Sequence, residues 1–187
     1  MRNKILQESA KLIHIKGYKE TSIQEIVEEI EMTKGAFYYY YKSKESLLMD
    51  IIEKYVDRLL AIQQGIVEQP ISSKDKIIEI IKVLVDDLHN QIASGRIFYR
   101  DVKSLAPENE MIIREKREKF RLILEELIID GQHKGEFRDA LNPKITTMAI
   151  IGITNWTYNW FNVKGELTTD ELFQLYVDFI FKGMDVP

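Results

Sequence analysis

The chain has no cysteine in its 187 residues. Disulfides, thiolate zinc sites and a cysteine nucleophile are excluded, and the composition fits a reducing compartment, so the expected location is cytoplasmic. Proline is scarce at four and glycine at nine. With Ile, Leu, Lys and Glu abundant, this implies an all-helical chain. The three histidines, His14, His89 and His133, lie far apart and in no metal-ligand spacing, so neither a metal nor a cofactor is implied. A long apolar run is missing too: Asn155, Asn159, Asn162 and several Thr and Tyr hydroxyls interrupt the least charged stretch, residues 145–163, and no membrane span is expected. The amino end runs directly into an amphipathic pattern rather than a secretory signal. No phosphate-binding glycine loop, dinucleotide fingerprint, nucleophile elbow or zinc-protease motif occurs, so the chain is not read as an enzyme.

An excess of positive charge is also lacking. There are 26 Lys and Arg against 30 Asp and Glu, a net charge of -4. Any affinity for nucleic acid must therefore come from where the lysines sit.

They sit in the stretch around which the chain is organised, Ser22 to Leu48. Ser22 and Glu25 make a capping box, and Ile23, Ile26, Val27 and Ile30 give the helix that follows one packing face. A turn falls at Glu31-Met32. Thr33 then caps a second short helix in which Ala36, Phe37 and Tyr40 or Tyr41 supply packing, while Lys34, Gly35, Tyr38 and Tyr39 face away. From Met32 to Lys44 there are three lysines and no acid. This is the pattern of a helix-turn-helix pointed at DNA.

Thr21-Ser22 with Glu25-Ile26, then Gly35-Ala36-Phe37-Tyr38-Tyr39-Tyr40-Tyr41 and Ser43-Lys44-Glu45-Ser46-Leu47, resemble the DNA-binding domain of the TetR family of bacterial repressors over roughly residues 3–50. One residue departs from that pattern: the family usually has glycine in the turn where this chain has Glu31. If the backbone there is left-handed, glutamate costs about 1 kcal/mol.

Periodicity and caps place a first helix over 3–16 with Gly17 at its end, and a fourth from Ser43 to about Gly65. A fifth follows Ser72 and runs to Ile92; it is apolar nearly all round and therefore expected to be central, with Ser94-Gly95 ending it. A short helix from Ile97 closes at Ala106-Pro107. A long one spans Glu108 to Lys134, with alternating charges over 114–119 that read as a solvated face. Asn142-Pro143 opens a helix to Phe161, and Thr168 with Glu171 opens the last. The expectation is about nine helices, all α: a helix-turn-helix domain over 1–46 and a larger helical domain over 47–187.

The resemblance implies that the larger domain binds ligand and dimerises, with the last two helices as the interface, and that a double-stranded operator is the partner. It places Ser22, Gln24, Thr33, Lys34, Gly35, Ala36, Tyr38, Tyr39, Tyr40 and Lys44 at the duplex. There Lys34 is placed to donate to guanine, Ala36 to touch a thymine methyl and Lys44 to meet phosphate. It also implies a hydrophobic small-molecule effector lined by Leu84, Leu88, Phe98, Tyr99, Phe120, Leu124, Ile153 and Trp156, with His89 as a further pocket candidate. The segment Asn155-Trp156-Thr-Tyr-Asn-Trp160-Phe161, followed by Gly165-Glu-Leu-Thr, is similar to a subgroup responding to fatty acyl-coenzyme A esters. In that case Arg96, Arg100 or Lys103 would meet the phosphates. The alternative is a helical lipid-binding or scaffold protein without an operator.

Overall fold

The computed structural model describes residues 1–185. Among these the elements are α1 (Arg2–Lys16), α2 (Ile23–Glu29), α3 (Lys34–Tyr40), α4 (Lys44–Val67), α5 (Ser73–Asn90), α6 (Ile92–Asp101), a 3-10 turn (Val102–Ser104), α7 (Pro107–His133), α8 (Pro143–Trp160) and α9 (Thr169–Met184). Contacts group them into two compact units, one of Met1–Arg58 with Gln91–Glu115 and one of Leu59–Asn90 with Lys116 onward.

In the first unit α2 and α3 are seven residues each, too short to persist alone, so packing must hold them. Ile5 and Ile13 of α1, Ile26 and Val27 of α2, Phe37 of α3 and Leu47, Leu48 and Ile51 of α4 are all buried. Truncating Phe37 to alanine would cost about 3–5 kcal/mol, enough to release α3. Helix α6 belongs to this unit and packs on α1. The Arg100 guanidinium donates to the carbonyls of Ile13 (2.8 Å) and His14 (3.3 Å), closing the C-terminal end of α1, and is held by Asp101 at 2.8 Å. Glu45, at the start of α4, accepts from the Ala106 amide (3.1 Å) and the Asn109 side chain (2.7 Å) at the start of α7.

Helices α2 and α7 end in the same way. At α2 the Glu31 amide donates to Glu28 and the Met32 amide to Val27; at α7 the Gly135 amide donates to Gln132 and the Glu136 amide to Gly131. Both closures put the residue after the cap in the left-handed region, φ 71° for Gly135 and φ 58° for Glu31. Glu31 is the one non-glycine with positive φ among the described residues.

In the second unit α5 packs against α9 and α8. Its buried residues, Ile77, Ile80, Ile81, Leu84, Val85 and Leu88, lie on one side, while Asp75, Glu79, Lys82 and His89 are exposed. The all-round burial expected for this helix is thus corrected: Ile78 and Val83 widen the apolar stripe without closing it. Ser94-Gly95 does not end α5 either. The helix stops at Asn90, and Ser94 and Gly95 lie inside α6. Beyond α7 the chain folds Phe137 over Gly131, where a Cβ would run into the phenyl ring. Lys74 joins this corner through its ion pair with Asp185 at 2.6 Å.

Candidate nucleic-acid interface

Two consecutive caps set the geometry of α2 and α3. Ser22 Oγ accepts from the Glu25 amide at 3.1 Å while the Glu25 carboxylate accepts from the Ser22 amide at 2.8 Å. Lys16 adds an ion pair to Glu25 at 2.6 Å, and these hydrogen bonds, that from Lys16 first, pull the carboxyl pKa down to about 2. Thr33 Oγ1 accepts from the Ala36 amide at 3.1 Å.

Once α3 is started by Thr33, helical periodicity separates its aromatics. Phe37 is 0% exposed and Tyr41 is buried, with its hydroxyl donating to Asp50 at 2.6 Å. Burial first, and this bond second, push the Tyr41 hydroxyl up to about 12. On the opposite side Tyr39 is 83% exposed, and Tyr38, Lys34 and Gly35 are exposed with it. Tyr40 is half-buried, edge-on to Tyr39 at 5.0 Å, and Ala36 is half-buried. Ser22, Gln24 and Thr33 are exposed as well, and the Gln24 amide donates to Glu28. One face of the head therefore gathers a lysine, two tyrosine hydroxyls and short polar side chains around a glycine. Such a face offers donors to phosphates and base edges without a large side chain at its centre.

Lys44 is held within the head. Its ammonium donates to the carbonyls of Tyr18 (2.9 Å), Thr21 (2.8 Å) and Lys19 (3.4 Å) and lies 4.4 Å from the Tyr18 ring centre. Three donors meet three carbonyls at the end of a turn, which occupies the charge assigned above to a phosphate. Arg100, assigned there to an effector phosphate, instead closes α1.

The residues assigned to an effector pocket separate. Phe98 and Tyr99 are in the first unit, where Phe98 lies 5.7 Å from Tyr55 and 4.6 Å from Tyr99. In the second unit Leu84, Leu88 and Leu124 are buried and Phe120 and Ile153 half-buried. Two of the candidates face outward. His89 is exposed because it falls on the polar side of α5, and Trp156 is 66% exposed because it shares an outward face of α8 with Ile145, Met148 and Trp160. The second unit does contain an apolar cleft, lined by Leu59, Ile62, Gln63 and Ile66 of α4, by Ile80, Val83 and Leu84 of α5, and by Phe120 of α7. Its side chains pack closely and leave no space between them for a water molecule. Leu84 and Phe120 were on the sequence-based list; Gln63 was not, although Leu59, Gln63 and Ile66 follow the i, i+4, i+7 spacing of a buried stripe.

Among the described residues no three His, Asp or Glu side chains gather to hold a metal, and no helix is long and apolar enough to cross a membrane.

Comparison with known proteins matches two segments of the chain. Residues 5–51 match the bacterial regulatory proteins of the tetR family, and residues 70–184 match the tetracyclin repressor-like C-terminal domain. The transcriptional repressor KstR2 of Mycolicibacterium smegmatis is 22% identical over 185 residues, 98% of this chain and 90% of that protein. The solved structure of the ketosteroid transcriptional regulator KstR2 of Mycobacterium tuberculosis aligns with a TM-score of 0.92 at 19% identity, covering 100% of this chain and 95% of that one. AibR, solved in complex with isovaleryl coenzyme A and operator DNA, aligns with a TM-score of 0.88 at 24% identity over 97% of this chain and 98% of that one. With both a reading head and a C-terminal helical domain matched, the chain belongs to the TetR family of DNA-binding transcriptional regulators.

Proposed function

We propose that this regulator represses by holding a palindromic operator as a homodimer and lets go when an apolar small molecule enters its second unit. The observation that carries the DNA half is the contrast inside α3, where Phe37 is 0% and Tyr39 83% exposed two residues apart. A helix anchored so firmly on one side while presenting a large aromatic on the other is built to be read against. Ser22, Gln24, Thr33, Lys34, Gly35, Ala36, Tyr38, Tyr39 and Tyr40 make the contact surface, with Lys44 holding the turn behind it. A carrier or scaffold without an operator gives no reason for that exposure.

Dimerisation is supported by the outer face of α8 and α9. Ile145, Met148, Trp156 and Trp160 of α8 and Leu175 and Phe179 of α9 are exposed, Phe179 to 70%. An apolar patch of this kind is what a second copy covers. The two heads of a dimer then fall about 34–36 Å apart, or a multiple, and read successive major grooves.

The effector half rests on the cleft between α4, α5 and α7. Helix α4 continues unbroken from its lining residues back to Lys44, a length of about 36 Å, so widening the cleft bends or tilts the helix that carries the head. AibR's coenzyme A thioester supports an acyl-coenzyme A as one candidate ligand, and a molecule that parts these side chains meets an apolar lining.

The test is fluorescence anisotropy of the full chain on DNA from upstream of its own coding sequence. With six to ten phosphates engaged, affinity is expected to fall about a thousandfold or more from 50 to 200 mM salt. A flat salt response removes the DNA reading, and a chain that stays monomeric at micromolar concentration in sedimentation removes the dimer.

A further inference from the structure

Gln63 is 1% exposed in the far half of α4. Its Nε2 donates to the main-chain carbonyl of Phe120 at 2.9 Å. That bond fixes the orientation of the amide, because only the NH2 end can donate to a carbonyl. The other end, Oε1, is therefore an acceptor, and it is buried with no hydrogen-bond partner. Gln63 lines the apolar cleft together with Leu59, Ile66, Ile80 and Leu84, whose side chains carry no donor. Buried side-chain oxygens are rarely left so. As a staple between α4 and α7, Gln63 needs only its NH2; nothing in that role accounts for a buried carbonyl left without a donor.

We propose that Gln63 Oε1 is the polar anchor of the effector site, and that the effector is an apolar molecule carrying a hydroxyl or N–H donor. The inference rests on the effector reading above and narrows it. A ligand that meets Oε1 with an ether, ketone or carboxylate oxygen sets lone pair against lone pair where no water intervenes, so the site discriminates by the presence of a donor as well as by shape. Entry requires the half-buried side chains at the mouth, Ile62, Val83 and Phe120, to move apart. Because Gln63 is part of α4, a donor seated at Oε1 acts directly on that helix. Ligand arrival is thereby registered on the helix that carries the head.

The experiment uses the full chain and a matched pair of probes, 1-octanol and methyl octyl ether, titrated calorimetrically against the wild type and Gln63→Leu, with Gln63→Met as a second variant of unchanged length. The expected result is that the wild type binds the alcohol at least about tenfold more tightly than the ether, while both variants stay folded and bind the two probes alike. Val83→Trp, which plugs the mouth, abolishes binding of both probes. Equal binding of the pair by the wild type, or a preference that survives in Gln63→Leu and Gln63→Met, overturns the role of Gln63 but leaves an apolar effector site standing. Binding that persists in Val83→Trp, or no binding of either probe to any form, overturns the anchor and the cleft together.

Discussion

Replacing Glu31 by glycine is expected to stabilise the protein. The residue follows the cap of α2, with φ 58°, in a closure whose counterpart at the end of α7 uses Gly135 at φ 71°. An L-residue held in the left-handed region costs about 1–2 kcal/mol, chiefly from Cβ against the following carbonyl. Glycine removes that strain but gives back about 0.4–1 kcal/mol through the greater freedom of the unfolded chain. An exposed carboxylate just past the C-terminal end of α2 also opposes the helix dipole, by about 0.3 kcal/mol or somewhat more at low salt. The three effects leave a net gain near ~1 kcal/mol for Glu31→Gly, which for a chain of this size raises the thermal midpoint by about 2–4 °C. The assay is a circular-dichroism melt at fixed protein concentration, since association stabilises the folded state by mass action. Glu31→Ala is the control: it removes the charge, keeps the Cβ, and should move the midpoint by about 1 °C at most. The reverse substitution, Gly135→Ala, should cost about 1 kcal/mol, because no neighbouring atom lies within 4 Å of the added Cβ and backbone strain alone decides the outcome. A Glu31→Gly protein no more stable than Glu31→Ala would refute the reasoning.

Gly131→Ala improves helix propensity in α7 yet runs a methyl into the buried Phe137 ring, so a loss of about 1–3 kcal/mol is expected in chemical denaturation. Lys44→Met removes the ammonium from the carbonyls of Tyr18, Lys19 and Thr21; a stability loss of about 2 kcal/mol is expected by the same assay, and a stability unchanged while operator affinity falls would return Lys44 to the phosphates. The pKa of Tyr41 stands at about 12 in the folded chain, above the ordinary value near 10, so its contribution to stability is fully present below pH 10 and is lost between pH 10 and 12. Tyr41→Phe should flatten the fall in stability across that window, and an unchanged slope would disprove the assignment. Tyr39→Ala, with its ring 83% exposed, should weaken operator binding tenfold or more in anisotropy while shifting stability by no more than about 0.5 kcal/mol.

Helix ends were the most legible part of the chain, because a cap is a contract between residues three apart. Ser22 with Glu25, Thr33, Asn142 before Pro143, and Thr168 with Glu171 all cap where the local pattern put them. The turn at Glu31 was flagged for another reason, that the resembled family usually has glycine there, and its backbone is left-handed. Contacts that depend on how helices are brought together were not. Lys44 reads as a free cation until the α1–α2 connection arrives 23 to 26 residues away to surround it. The role of Arg100 needs α1, 86 and 87 residues distant. Trp156 shows why an apolar stripe is ambiguous: helical spacing says that a face is to be covered, but not whether by its own chain. Gln63 carried a readable signal, a polar side chain in register with a buried stripe, but the spacing cannot tell which of its two amide ends is satisfied.

The grip of Lys44 ties the start of α4 to the head. The lysine is the first residue of α4, and it clasps the connection between the two helices that precede the reading element. No joint separates the shaft from the blade, as in a rudder fixed to its stock. In the proposed mechanism a swing of α4 therefore carries the helices Lys44 ties together as one piece, and release from an operator is a matter of aim rather than of unfolding or retracting the tyrosines.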